Sequence, residues 1–163
     1  MHPVIWTDER VAAWHRDGIR PPVAVWTLPQ LITFLTGVEK DRLAALWWLI
    51  ALRGLRRGEA AALDRDDLDS QARELTISRQ LVALPAELYC GPPKSHASCR
   101  TIALDQTGTR RLAGQAARQV AELLRHEFSG QRRSDARART GPGWRHGRPM
   151  FTYADGRPIR PST

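Results

Sequence analysis

The hydrophobic pattern of the sequence changes its period near residue 70, and this change limits the possible folds more than any other feature. Before it, apolar side chains in residues 43–50 recur at i, i+3, i+4 and i+7, the spacing of one helix face. After it, residues 74–84 alternate apolar with polar side chains and contain β-branched residues, which is typical of strands. The sequence therefore predicts a mostly helical α+β domain with a small antiparallel sheet, formed from parts of residues 73–104.

Local stop and start signals place the predicted elements more closely. Thr27 followed by Gln30 forms a capping box, and Gly37 ends the helix that it starts. Gly54 ends the next helix, and a short helix follows directly after this bend. A long amphipathic helix is predicted over residues 106–128. Its predicted apolar stripe consists of Leu112, Ala116, Val120, Leu123 and Leu124.

The remaining segments are predicted to be less regular. Residues 1–26 contain the stiff pair Pro21-Pro22 and resemble a linker more than a domain. Residues 85–98 are predicted to be a loop rich in Pro and Gly, with Lys94 near its tip. Residues 149–163 carry a short apolar strand-like run and an Asp-Gly turn. The length of 163 residues suits one domain with its own core.

Positive charge is concentrated at one end of the sequence. The formal net charge is +8, and residues 1–99 hold 12 basic and 12 acidic side chains, whereas residues 100–163 hold 13 basic and 5 acidic ones. Residues 129–148 contain six arginines and one acid without any periodicity, which indicates an exposed loop or arm. A basic field attracts polyanions by neutralising phosphates, so nucleic acid is the first partner to consider. A solvated charged surface is the alternative.

Several classes of protein are disfavoured by the sequence. The longest apolar run, residues 43–52, is far too short for a membrane span, and the start lacks the layout of a signal peptide, so cytoplasm is the expected location. Cys90 and Cys99 are the only cysteines, without a CxxC motif or paired histidines. We therefore expect reduced thiols and no metal site.

The segment RGLRRGEAAALDRDDLD, residues 53–69, raises a question of charge. Arg56 and Arg57 lie in the first turn of the predicted short helix, where the helix dipole disfavours cations. Free amide groups and two guanidinium groups at that point can together hold a phosphate. Either Glu59 compensates the charge internally, or an anionic ligand does.

Two motifs in this order resemble those of the tyrosine recombinases, or phage integrases. RGLRRGEAAALDRDDLD resembles the first catalytic box of the family, and PPKSHASCRTIAL resembles its β-hairpin. The preceding VWTLPQLITFL and the later MFTYADGRPIRP are similar to further segments of the same domain. The resemblance covers residues 23–163 and implies a partial integrase catalytic domain. It also implies that residues 1–22 are a linker or the remnant of an N-terminal core-binding domain.

The resemblance implies a role for particular residues. Arg56 would be the arginine of the first box and Lys94 the lysine of the hairpin. In this family a tyrosine attacks a DNA phosphodiester, a fixed arginine stabilises the developing charge, and a lysine on a mobile hairpin protonates the leaving 5′-oxygen. Arg57, Ser98 and Arg100 are then expected to contact the DNA backbone, unless local burial occupies them.

The sequence departs from the family at its end. No histidine has an arginine three residues later, and neither Tyr89 nor Tyr153 stands where the family has its nucleophile. Thr163 falls where the next helix of the family would begin, so we expect a truncated product that is inactive by itself and leaves apolar surface exposed. The resemblance implies double-stranded DNA and other recombinase subunits as partners, with no cofactor and no small-molecule substrate. The alternative is a non-catalytic basic DNA-binding protein or regulator, whose usual helix-turn-helix pattern the hairpin argues against.

Overall fold

A computed structural model describes residues 4–18, 24–85, 87–95, 98–128 and 148–161. The chain divides into two compact units, Met1–Ala44 and Ala45–Thr163. The arginine-rich segment 129–148, expected to be an exposed loop or arm, lies outside the described residues except for Arg148. No described helix is both long enough and apolar enough to cross a bilayer.

The first unit contains two successive strand–helix pairs. Its elements are β1 (Val4–Trp6), α1 (Asp8–Asp17), β2 (Ala24–Trp26) and α2 (Leu28–Gly37). The expectation of an irregular segment over residues 1–26 was therefore wrong. The strands have three residues each, too few for alternation to be recognised, and their stability comes from pairing with each other.

The two strand–helix pairs of the first unit are offset by 20 residues throughout. β1 and β2 pair in parallel with Val4 opposite Ala24 and Trp6 opposite Trp26. Thr7 caps α1 and Thr27 caps α2, each by accepting a hydrogen bond from the amide three residues later. The predicted capping box of α2 is confirmed, because the Thr27 amide donates to Gln30 Oε1 at 2.9 Å. The repeated Trp-Thr dipeptide was a signal that the sequence analysis missed.

The second unit contains α3 to α5 and the remaining strands. In chain order these are α3 (Ala44–Arg53), α4 (Arg57–Ala61), a 3₁₀ turn (Arg65–Asp67), β3 (Leu68–Asp69), β4 (Glu74–Ile77), β5 (Gln80–Ala83), β6 (Leu88–Gly91), β7 (Arg100–Ala103) and α5 (Gln106–Phe128). β3, β4 and β7 form an antiparallel sheet in that order, and β5 pairs with β6 as an antiparallel hairpin. The predicted α+β class with a small antiparallel sheet is confirmed.

The loop that carries Lys94 is shorter than the sequence analysis expected, and it connects β6 to β7, which lie in different sheets. β6 occupies residues 88–91, inside the predicted loop 85–98, and buries Leu88 and Cys90 on alternate positions. Burial raises the pKa of the Cys90 thiol. The predicted strand region 74–84 forms β4 and β5, which residues 78–79 separate.

Two helices present different faces to the core than their apolar patterns indicate. In α3 the buried side chains are Ala45, Leu46, Trp48 and Leu49, whereas Trp47 and Ile50 are only partly buried. In α5 Leu112 is buried as predicted, but the inward face continues with Gln115 and Gln119, and Val120 and Leu124 are exposed. The side chain of Leu123 lies outside the described residues.

The segment 148–161 closes the core of the second unit. Met150 and Phe151 are fully buried, and the Met150 amide donates to the Leu63 carbonyl at 2.8 Å. The predicted Asp-Gly turn is confirmed, since Gly156 has φ of 80° and the Arg157 amide donates to Asp155 Oδ1. This segment therefore anchors the chain that follows α4.

Candidate functional site

The bend before α4 is built by three consecutive local features. Gly54 adopts a left-handed φ of 65°, which a side chain would disfavour, and ends α3. Leu55 is then buried, and Arg56 occupies the N-cap position with an extended backbone. Arginine cannot accept a hydrogen bond as Ser or Thr caps do. Instead, the Arg56 amide donates to Glu59 Oε2 at 3.0 Å, so that Glu59 closes the first turn.

Glu59 is the buried centre of this site. Only 1% of its side chain is exposed, and two arginines bind it. Arg56 donates through Nη1 to Oε1 at 3.0 Å, and Arg100 donates to both carboxylate oxygens at 3.3 and 3.0 Å. Burial by itself raises the pKa of Glu59, but the hydrogen bonds from Arg100 and Arg56 outweigh it and hold the pKa below the ordinary value. Glu59 is therefore ionised and orients both guanidinium groups.

The hydroxyl groups of Ser98 and Ser95 connect Arg56 to the β6–β7 loop by hydrogen bonds. Arg56 Nη1 also donates to Ser98 Oγ at 3.1 Å, and Ser98 Oγ lies 2.9 Å from Ser95 Oγ. The Ser98 carbonyl accepts from Arg100 Nη1 at 3.1 Å. Ser98 is 7% exposed, so its hydroxyl is used inside the protein.

The predicted site residues divide into enclosed and exposed groups. Lys94 and Arg57 are exposed, and Lys94 directly precedes Ser95 in the β6–β7 loop. Arg56 keeps 67% of its side-chain surface exposed although one side of it is bound, whereas Arg100 keeps 32%. The structure thus brings Arg56, Ser98 and Arg100 together around Glu59 and connects the loop of Lys94 to them. The internal partner that the sequence analysis considered for Arg56 is present, and that analysis did not predict the contact of Glu59 with Arg100.

Charge balance leaves this cluster positive. Arg56, Arg100 and Glu59 together carry one net positive charge, and exposed Arg57 and Lys94 lie next to members of the cluster in the sequence. A fixed guanidinium with solvent access and a net positive environment can bind a phosphate oxygen. No group of three or more metal-ligating side chains occurs within the described residues.

Similarity to known proteins supports the resemblance to integrases. No family model matches the sequence. The prophage integrase IntR of Escherichia coli strain K12 is 36% identical over 77 residues, which is 47% of this chain and 18% of IntR. The Tn1549 transposon integrase, solved in complex with transposon right end DNA, superimposes with a TM-score of 0.63 at 20% identity and covers 94% of this chain.

A second structure of the Tn1549 integrase, in complex with circular intermediate DNA, gives a TM-score of 0.60 at 19% identity over 88% of this chain. The fold of the described residues is therefore that of an integrase-like domain. This integrase-like domain spans 18% of the length of IntR and 45% and 43% of the two Tn1549 integrase chains.

Proposed function

We propose that this integrase-like domain supplies part of the active site of a site-specific DNA recombinase. In this proposal it binds the phosphodiester backbone of duplex DNA, and Arg56 and Lys94 take part in breaking and rejoining the strand. The observation that carries the proposal is the Arg56 guanidinium, which is bound on one side by Glu59 and Ser98 and exposed over two thirds of its surface.

A guanidinium held in this way suits a phosphoryl transfer reaction. Negative charge grows on the non-bridging oxygens as the nucleophile attacks, so a donor that is already oriented stabilises the transition state more than the ground state. Glu59 and Ser98 hold Arg56 without neutralising the whole cluster, because Arg100 shares the carboxylate. Arg56 thus needs little rearrangement to meet a phosphate.

Lys94 is proposed to protonate the leaving 5′-oxygen. An ammonium group can give up its proton near neutral pH when its surroundings change, whereas a guanidinium cannot. Lys94 is one of only two lysines among 25 basic residues, and it is exposed on the loop that Ser95 and Ser98 connect to Arg56. No cofactor enters this reaction, since the phosphotyrosine bond conserves the energy of the phosphodiester.

The nucleophile has to come from elsewhere. The sequence contains no His-x-x-Arg pattern, and its two tyrosines, Tyr89 and Tyr153, lie in β6 and before the Asp-Gly turn. We therefore propose that another recombinase subunit or chain segment completes the site. The complexes of the Tn1549 integrase with transposon DNA support DNA from a mobile element as the substrate.

DNA binding tests the first half of the proposal. Fluorescence anisotropy with a labelled duplex should show weak binding whose affinity falls steeply with salt. Arg56→Ala should lower the slope of log K against log salt by about 1, the loss expected for one phosphate contact. Arg157→Ala removes the same charge from an exposed ion pair with Asp155 and serves as the matched control. Equal effects of the two substitutions would contradict the assignment of Arg56.

A suicide DNA substrate tests the second half. The purified chain should form no covalent adduct on a denaturing gel, because it lacks the nucleophile. Adding a chain that carries the second catalytic box should restore adduct formation, and Arg56→Ala should then reduce the rate by about 100-fold. An adduct mapped to Tyr89 or Tyr153 would contradict the proposed division of the active site.

A further inference from the structure

The loop that carries Lys94 is anchored on both sides of the lysine. Before it, the Pro92 carbonyl accepts from Gln80 Nε2 at 3.1 Å, and Pro93 is buried. After it, Ser95 is joined to Ser98 by a hydroxyl contact of 2.9 Å and by the Ser98 amide, which donates to the Ser95 carbonyl at 3.0 Å. Lys94 is thus an exposed residue between two fixed points.

Ser98, which anchors the loop after Lys94, is hydrogen-bonded to Arg56. A guanidinium only donates hydrogen bonds, so Ser98 Oγ must accept from Arg56 Nη1 and keeps its own proton for a second bond. Ser95 Oγ is the hydroxyl within reach of that proton. Ser98 Oγ therefore links Arg56 to Ser95, and either serine hydroxyl can be the donor in the second bond.

Ser98 has little surface left for a ligand. With 7% of its surface exposed and its hydroxyl engaged by Arg56 and Ser95, it is poorly placed to contact DNA as the sequence analysis expected. Its carbonyl is also occupied, by Arg100. Every polar atom of Ser98 therefore has a partner inside the cluster.

We propose that Ser95 and Ser98 are positioning residues that hold the Lys94 loop against Arg56, so that Lys94 and Arg56 engage one DNA phosphate as a unit. The proposal rests on the proposed function for its DNA contact but not for the coupling itself. It differs from the expectation of a freely mobile hairpin, because the loop is held before any DNA binds.

A double-mutant cycle on DNA binding tests the coupling. The full chain is titrated with a labelled duplex at several salt concentrations. Lys94→Ala should lower the salt slope by about 1. Ser95→Ala removes only the link to the loop, so it should weaken binding about fivefold, the worth of one neutral hydrogen bond, and should add nothing in combination with Lys94→Ala. Ser98→Ala also releases Arg56 and should still weaken binding in that combination. Additive effects of Ser95→Ala and Lys94→Ala would overturn the proposal.

Conservative and distant substitutions separate positioning from general damage. Ser95 is exposed, so Ser95→Thr fits, keeps the hydroxyl and should bind DNA as the unsubstituted chain does. Ser70→Ala, at an exposed serine in the β3–β4 turn, is the control and should have no effect. A loss of binding in Ser95→Thr equal to that in Ser95→Ala would overturn the role of the hydroxyl.

Hydrogen exchange gives a readout that needs no DNA. Mass spectrometry should show a larger increase in amide exchange in Ser98→Ala for peptides covering residues 91–99 than for peptides elsewhere in the chain. Unchanged exchange would overturn the coupling whatever the DNA result. If exchange accelerates but Lys94→Ala leaves DNA binding intact, the coupling is supported and the proposed role of Lys94 in DNA binding fails.

Discussion

Helices α4 and α5 lie in the same unit but are held in place in opposite ways. α4 has five residues, too few for a helix to persist by its own hydrogen bonds, and it buries Glu59, Ala60 and Ala61. α5 has 23 residues and buries Leu112 on one face while Val120 and Leu124 remain exposed. Three of the five residues of α4 are buried, whereas α5 leaves large apolar side chains exposed.

The polar side chains buried by the two helices differ in the same way. Glu59 in α4 is charged, and four donor groups of Arg56 and Arg100 together satisfy it. In α5, Gln119 donates to Thr152 Oγ1 at 3.0 Å, but Gln115 Nε2 is buried without a partner among the described residues. A buried charge has to be paired because its desolvation is far more costly than that of an amide. The buried carboxylate of α4 therefore fixes the positions of two guanidinium groups, as a phosphate-binding site requires.

Removing the carboxylate of Glu59 should lower the free energy of unfolding more than removing a polar side chain of α5. Glu59→Ala should lower the free energy of unfolding by about 3 kcal/mol, because two guanidinium groups and the Arg56 amide lose their partner. Gln119→Ala in α5 removes a neutral bond and should cost only about 1–2 kcal/mol. Urea denaturation of both variants measures the difference. Equal losses would mean that the charge of Glu59 adds nothing to its position.

A methyl group on α4 should have the next largest effect. A Cβ at Gly58 would lie 2.6 Å from the Leu81 carbonyl oxygen of β5, which is a backbone atom and cannot turn away. Gly58→Ala should therefore destabilise the chain by about 2 kcal/mol, although alanine favours helices. Thermal unfolding measures this loss. A stability gain would show that α4 can move away from the hairpin.

The stability contributed by Glu59 should depend on pH. Its pKa in the folded protein is below the ordinary value of 4.5, so the folded state binds the proton less readily than the unfolded state. The stabilisation is complete above pH 4.5 and is lost as the pH falls through the folded-state pKa. Glu59→Gln should be less stable than the unsubstituted chain at pH 7, by a margin that narrows at acidic pH. Denaturation curves from pH 7 to pH 3 would contradict this if the margin stayed constant.

Two glycines of α5 should give the smallest effects, with opposite signs. A Cβ at Gly114 meets nothing within 4 Å, so Gly114→Ala should raise the free energy of unfolding by about 0.5–1 kcal/mol. A Cβ at Gly108 would lie 2.4 Å from the buried Trp48 ring, so Gly108→Ala should lower it. Calorimetry can resolve both shifts. A gain in both variants would show that the ring moves aside without cost.

Features set by neighbours in the chain could be predicted from the sequence. The capping box of Thr27 and Gln30, the left-handed Gly54 and the turn at Asp155 and Gly156 all follow from side-chain chemistry within four residues. The order of the two motifs likewise predicted which segments form the site. The contact between Glu59 and Arg100 spans 41 residues, and no local pattern encodes it.

The faces of the helices show where sequence patterns lose their information. In α5 the apolar pattern points to Val120, yet Gln119 is 2% exposed and Val120 is 40% exposed. The inward face is chosen by the whole set of neighbours, among them Trp48 above Gly108 and Thr152 beside Gln119. Burying Val120 and Leu124 would add too little stability to change which face of α5 packs inward.

The sequence by itself determined α3 to α5, strands β4, β5 and β7, the turn at Asp155 and Gly156, and the positions of Arg56 and Lys94, because these depend on backbone preferences and on motifs read along the chain. Only the tertiary structure decided that Glu59 binds both Arg56 and Arg100 and that Ser98 joins the Lys94 loop to them. The physical reason is desolvation. A carboxylate that is 1% exposed must find its partners wherever the fold brings them, and those partners lie on different elements.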